Sequence, residues 1–292
     1  MSTLTSTTST TRPTLGAGDV GKSYFETDNN KILVWDGSAW NEWDSDRSIG
    51  AGFQNNLTAA LDGTDAYLSI PASTDFDFGT GDFSFTFWMR VTAIDSYAGL
   101  FSRGVSYRLK FHAANEHLIN LGMTGGDFAI ITYNPGGTNT SLLGSWHHIM
   151  LVRDGASLKG YVDNTEYGSR TLTTESFSAS GAALEWGRQI NNALNIAGQL
   201  DEISIFDRAL TSAERGEIYN SGASFDIGSA YTGANAPLAF YRCGDDSSDT
   251  DSGGSTADNG DTIGTIKNVV NPGTHDMSGV NGATYSNANS PV

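Results

Sequence analysis

Few residues in this chain are of the types that carry covalent chemistry, and their spacing limits what they can do. His147 and His148 are adjacent. On a strand, neighbours point to opposite faces, so the two imidazoles cannot share one ion. One buried, hydrogen-bonded histidine and one exposed histidine are expected. No Gly-x-Ser-x-Gly run is present to hold a nucleophilic serine on a sharp turn. Cys243 is the single cysteine. It reads as a small buried residue rather than a nucleophile, and it leaves no internal disulfide to form. Asp245, Asp246, Asp249 and Asp251 lack the glycine and terminal glutamate of an EF-hand loop, and are read as a solvated loop. Tyr97, Arg103 and Tyr107 bring together aromatic rings and a guanidinium, types suited to a glycan-binding rim. Ordinary surface placement is the competing reading.

The formal net charge is −17 over 292 residues. Phosphate backbones call for a basic footprint, so nucleic acid is excluded as a partner, and anionic membranes are disfavoured. The acids keep the chain soluble and leave carboxylates available for calcium. No apolar run reaches the ~18 residues of a spanning helix. Met1 to Thr11 is nearly all Ser and Thr, without the basic and apolar regions of a secretory signal, so folding in a cytosol is expected.

These residues need elements to position them, and the pattern points to strands. Gly, Ser, Thr, Asn and Asp recur in clusters, and long helix-forming runs are missing, which favours an all-β fold of short strands and turns. Phe83 to Val91 alternates strictly, placing Phe83, Phe85, Phe87, Met89 and Val91 on one face and Trp88 on the other. Trp146 to Arg153, the turn pair Asp154-Gly155, and Leu158 to Asp163 read as a hairpin. Leu200 to Phe206 reads as a further strand. Thr211 with Glu214 fits a capping box opening a helix of about three turns, with Gly222 as its left-handed stop.

Three regions follow. Residues 1–49 read as a flexible arm, 1–12, followed by a small aromatic hairpin unit whose Tyr24, Phe25, Trp35, Trp40 and Trp43 need a partner surface and are the expected assembly contacts. Residues 50–225 form the main sandwich. Residues 226–292 are loop-rich and are expected to supply edge strands, with strand-like pieces at 237–242, 265–270 and 283–285 and a long acidic loop over 245–261.

Four blocks in order carry a family resemblance: Leu61 to Pro71, Phe83 to Trp88, Trp146 to Gly155 with Tyr161 to Asp163, and Gly198 to Thr211. Together they resemble the laminin G-type jelly roll of the concanavalin A-like lectin/glucanase superfamily. The stretch Gly21 to Trp43 resembles short hairpin modules of phage tail-fibre and other virion proteins. The resemblance implies an antiparallel jelly-roll β-sandwich. It also implies a structural calcium, with Asp201 as ligand and Asp62, Gly63 and Asp65 completing the shell; the other reading of Asp201 is a cap on backbone amides at the sandwich edge. Glucanases of the superfamily carry Glu-x-Asp-x-x-Glu on one strand. Here the partial match is Glu26-Thr27-Asp28, with Lys31 in the last position, so paired carboxylates for retaining hydrolysis are missing and no enzyme activity is expected. The implied role is a capsid-decoration, fibre or knob component of a phage virion, assembled in the host cytoplasm and acting outside it. Its expected partners are other virion proteins, further copies of itself in a trimer, and host-surface glycans. The alternative is a carbohydrate-binding module of a secreted bacterial protein.

Overall fold

The computed structural model describes residues 5–7, 14, 23–26, 31–35, 40–43, 55–94, 96–112, 115–123, 126–179, 181–189, 194–287 and 291. The chain divides into two compact units, Met1–Asn56 and Leu57–Val292.

In the first unit, β1 (Thr5–Thr7), β2 (Ser23–Glu26), β3 (Lys31–Trp35) and β4 (Trp40–Trp43) form one sheet in that order. The β2–β3 and β3–β4 pairs are antiparallel. Part of the stretch read as a flexible arm is ordered here, because Thr5–Thr7 pairs in parallel with Tyr24, Phe25 and Glu26. Leu33 is buried and Trp35 is half-buried. The side chains of Tyr24, Phe25, Trp40 and Trp43 lie outside the described residues.

The second unit is a sandwich of two antiparallel sheets. Its strands begin with β5 (Thr58–Asp62), β6 (Tyr67–Ile70), β7 (Phe83–Ile94), β8 (Gly99–Arg103), β9 (Tyr107–His112), β10 (Asn115–Met123) and β11 (Gly126–Thr132). They continue with β12 (His147–Asp154), β13 (Ser157–Val162), β14 (Thr165–Thr171), β15 (Leu184–Trp186), β16 (Arg188–Gln189) and β17 (Leu194–Phe206). Helices α1 (Ser212–Tyr219) and α2 (Ile227–Ala230) precede β18 (Ala239–Tyr241), β19 (Thr250–Asp251), β20 (Ile263–Ile266), β21 (Met277–Val280) and β22 (Thr284–Ser286). Sheet I runs β14-β13-β12-β7-β17-β5-β22, with β16 and β18 also paired to β17. Sheet II runs β11-β10-β9-β8-β15-β6-β21-β20-β19.

The phenylalanine ladder of β7 is the centre of the core. Phe83, Phe85, Phe87, Met89 and Val91 are all fully buried, and burial of each ring stabilises the fold by roughly 1.5–3 kcal/mol. Phe85 stacks on Phe101 of β8 with centroids 4.6 Å apart, and Phe87 meets Trp186 of β15 edge-on at 5.2 Å. At one side the sheets close together. Gly160 and Gly168 pair across β13 and β14, and a Cβ at either would collide with the carbonyl of Ile130 in β11.

The capping box forms as the sequence predicts: Thr211 Oγ1 accepts from the Glu214 amide, and the Glu214 carboxylate accepts from the Thr211 amide. The helix is shorter than expected, eight residues, and Asn220 rather than Gly222 supplies its left-handed stop, at φ 45°. The short polar side chain of Asn tolerates that conformation.

Strands after residue 226 enter both sheets. β21 pairs with β6 and β22 pairs with β5. On β17, the edge that faces β5 over Ala197–Leu200 faces β18 over Ile203–Ile205. A bulge at Asp201 and Glu202 marks the exchange, with Glu202 at φ 47°.

Candidate functional site

The residues expected to surround a calcium ion are split by the register. Asp62 pairs with Ala197, four positions along β17 from Asp201, which at about 3.3 Å per residue is ~13 Å. One shell cannot contain both. Asp62 Oδ1 accepts from the amides of Thr64, Asp65 and Ala66 at 2.8, 3.2 and 3.2 Å. It organises the β5–β6 turn, where Gly63 sits at φ 77°. These amides, Thr64 foremost, hold the Asp62 carboxyl below its ordinary range. Asp201 is fully buried, and its Oδ1 accepts from the Glu202 amide at 2.8 Å. Among the described residues, no group of three or more His, Cys, Asp or Glu side chains is arranged to hold a metal ion.

Two of the three glycan-contact candidates are inside the sandwich. Arg103 and Tyr107 are opposite one another on β8 and β9, and both are fully buried. The Arg103 guanidinium donates to Asp77 Oδ1 and to the Ser73 carbonyl, each at 2.6 Å, and to Ala182 O at 3.3 Å. The Tyr107 hydroxyl donates to Phe76 O at 3.0 Å, and burial pushes its pKa up. Neither can meet a ligand. The parity of the strands decides this: Phe101 and Leu109 face the core, so Arg103 and Tyr107 do as well. Tyr97 is exposed, with the Lys110 ammonium 4.9 Å from its ring centroid.

The same parity sends a different set outward. Arg108, Lys110 and His112 alternate with Tyr107, Leu109 and Phe111 along β9 on the outer face of sheet II, where Arg108 and His112 are half-buried and Lys110 is buried beneath its neighbours. The pairing registers join a row of residues across nine strands: Asp127, Gly122, Arg108, Ser102, Glu185, Ser69, Ser278, Thr265 and Thr250. In the next row Asn120 pairs with Lys110. Asp127 takes Arg108 Nη2 at 2.9 Å and Lys110 Nζ at 2.6 Å. Burial opposes its ionisation, but the two cations outweigh that and keep its carboxyl below the usual range. Gly122 leaves room for this cluster, since a Cβ there would press on Asp127 Oδ1 and Arg108 Nε. Asn120 Oδ1 is buried without a hydrogen-bond partner, an acceptor that ordinarily finds one. Further along the row, Arg188 pairs with Glu185 through Nε and Nη2, both at 2.8 Å, while its guanidinium lies 3.5 Å from the Tyr67 ring centroid. The strict alternation of Tyr107 to His112 was the signal in the sequence for this face.

The outer face of sheet I differs. Trp88, His148, Met150, Val152 and Phe206 are buried there, and Tyr219 of α1 stacks near Trp88 and His148. His148 was expected to be either the satisfied or the exposed member of its pair, but neither histidine is exposed. His147 is held by Asp163 at 2.8 Å, and His148 Nε2 lies 2.6 Å from Thr86 Oγ1. Burial drives His148 down to about 3, so it is neutral.

Acids with raised pKa values are sealed from solvent. Glu202 is pushed well up by burial and then by Asp201, with Arg242 Nε 3.8 Å away. Asp249, read from sequence as part of a solvated loop, is fully buried; it accepts from the amides of Lys267 and Gly244 at 2.6 and 2.8 Å. Burial lifts it to about 7. Cys243 is buried and its thiol is pushed up.

Residues 62–214 match a family model described as the concanavalin A-like lectin/glucanases superfamily. No match was found among curated proteins. A Bacteroides ovatus protein, provisionally assigned as carbohydrate binding, superposes at a TM-score of 0.57 with 14% identity, over 94% of this chain and 71% of that one. A heptameric pentraxin from Limulus polyphemus (TM-score 0.38, 16% identity, 55% and 84% of the two chains) is a looser likeness. So is domain 4 of an extracellular arabinanase from Geobacillus stearothermophilus, in complex with arabinotriose (0.44, 16%, 56% and 76%).

Proposed function

The chain belongs to the concanavalin A-like lectin/glucanase superfamily, and from that premise we propose that it is a non-catalytic glycan-binding component of a phage virion. The observation that carries the glycan reading is the polar row across the outer face of sheet II. Sugars are recognised by hydroxyl, carboxylate and amide groups fixed on a rigid surface beside an aromatic ring. Strands hold Arg108 and Asp127 in such an array over the buried Lys110 and Asn120, with Tyr97 at its border. The carbohydrate-binding assignment of the Bacteroides ovatus protein is consistent with it. The non-catalytic reading rests on the sequence, where Glu26-Thr27-Asp28 is followed by Lys31 in place of the second glutamate of the glucanase pattern.

The virion setting is supported by the resemblance of Gly21 to Trp43 to tail-fibre hairpins. A carbohydrate-binding module of a secreted bacterial protein is favoured by one observation, the 94% of this chain that superposes on the Bacteroides ovatus protein.

A printed glycan array tests the binding role. Wild type should be retained by at least one glycan class, and Tyr97→Ala combined with Arg108→Ala should lose that retention with its circular dichroism unchanged. No retention of wild type would refute the reading. Mass spectrometry of purified virions separates the two settings.

A further inference from the structure

Three tyrosines from three separate parts of the fold lie around the start of β12, Tyr133 and Tyr167 on the side of His147 and Tyr219 on the side of His148. Tyr133 follows β11, Tyr167 lies in β14, and Tyr219 is the last residue of α1. Each is half-buried. The Tyr133 ring stands edge-on to Tyr167 at 5.0 Å and to His147 at 5.2 Å. Tyr219 lies parallel to His148, centroids 6.0 Å apart, and to Trp88 at 6.1 Å.

A carboxylate is fixed among them. Asp163 and Asn164 form the two-residue turn between β13 and β14, both left-handed at φ 50° and 61°, as such hairpins require. Asp163 Oδ1 accepts from the His148 amide at 2.9 Å, Oδ2 pairs with His147 Nδ1 at 2.8 Å, and the Asp163 amide donates to His148 O at 2.9 Å. The turn is thereby locked to β12, and Asp163 keeps lone pairs to spare. Its charge reaches both Tyr133 and Tyr219, whose phenols are raised by burial first and by Asp163 next. Those hydroxyls therefore remain protonated donors.

Elsewhere in the unit, four of the five buried tyrosines spend their hydroxyls internally, Tyr107 on Phe76 O, Tyr231 on Glu217, Tyr241 on His275 O, and Tyr285 on Thr250 O and Thr265 O, Tyr161 being the exception. Among the described residues, no group accepts from the hydroxyls of Tyr133, Tyr167 or Tyr219. Packing alone does not call for two open phenols, Tyr133 and Tyr167, beside His147 and its pinned carboxylate. An aromatic ring with a polar tip suits a partner that is apolar on one face and hydroxylated at its edge.

We propose that Tyr133 and Tyr167, with Asp163 and His147, form a second binding platform that takes a neutral saccharide. A pyranose or furanose ring would lay its C–H face on tyrosine and direct hydroxyls to the Asp163 carboxylate and the phenols. Acidic sugars are disfavoured by Asp163 and by the net charge of −17. This platform is distinct from the Arg108 face, and it stands whether or not that face binds a glycan.

Affinity gel electrophoresis of the full chain tests it, with arabinan, dextran and galactomannan as neutral probes and polygalacturonate as the acidic one. Wild type should be retarded by at least one neutral polymer. Tyr133→Ser with Tyr167→Ser should weaken that retardation about tenfold, ~1.4 kcal/mol, with an unchanged melting temperature. Should the double variant fail to fold, Tyr133→Ser alone decides in the same gels. Retardation by polygalacturonate only, by no polymer, or equally in wild type and the serine variant overturns the platform. Loss in Arg108→Ala alone would overturn it too, and would leave the binding on sheet II.

Discussion

Replacing Asp249 with Asn should change how the stability of the chain responds to pH, by an amount that follows from its surroundings. Asp249 is fully buried, with Asp246 beside it, Cys243 and Tyr285 close by, and the amides of Lys267 and Gly244 on its two oxygens. Burial raises it from an ordinary 3.8 to about 7. The folded chain therefore holds a proton that the unfolded chain has released. Below about pH 4 both states carry it and the contribution is complete; as pH rises toward 7 stability falls by ~1.4 kcal/mol per pH unit, ~4 kcal/mol in all. Asn carries no charge at any pH, but its amide NH2 must face one of the two backbone donors, which costs about 1–3 kcal/mol throughout. Wild type should be the more stable protein near pH 4, and Asp249→Asn should overtake it near pH 8 by about 1–3 kcal/mol. Urea unfolding followed by tryptophan fluorescence measures both. Glu202, raised in the same sense, contributes equally to both proteins and cancels in the difference. A stability difference that stays constant with pH would refute the reasoning.

Two further outcomes test the core. Phe85→Ala removes the ring stacked on Phe101 and should lower stability by about 3–5 kcal/mol, read from a denaturant midpoint. Asp77→Ala leaves the Arg103 guanidinium buried without its carboxylate and should cost a further ~3–5 kcal/mol relative to wild type, with a matching fall in melting temperature.

What could be read in the sequence was local. The ladder Phe83 to Val91 alternates because one face is dry, and that pattern needs no knowledge of the other sheet. The Thr211–Glu214 box and the β12–β13 hairpin are complete within a few residues. The expected jelly-roll sandwich is the fold observed. What failed depended on partners far along the chain. Arg103 and Tyr107 look like surface residues by type, but strand parity turns them inward, where Asp77 and Phe76 satisfy them. Asp249 sits in a Ser- and Gly-rich acidic stretch, and nothing nearby announces that Lys267 and Gly244 will enclose it. The calcium shell assumed that Asp62 and Asp201 lie side by side, and the β5–β17 register sets them apart. Tyr133 and Tyr167 share no motif; only the meeting of a loop and a strand brings them together.

The pairing of β21 with β6 and of β22 with β5 bears on how the molecule is made. These late strands bond to neighbours synthesised near the start of the sandwich, and such long-range closure is slow. On the ribosome, a nascent chain holds β5 and β6 with one flank open until β21 and β22 emerge. A protease nick or a stop codon ahead of Met277 would leave those flanks bare, and bare flanks recruit other chains.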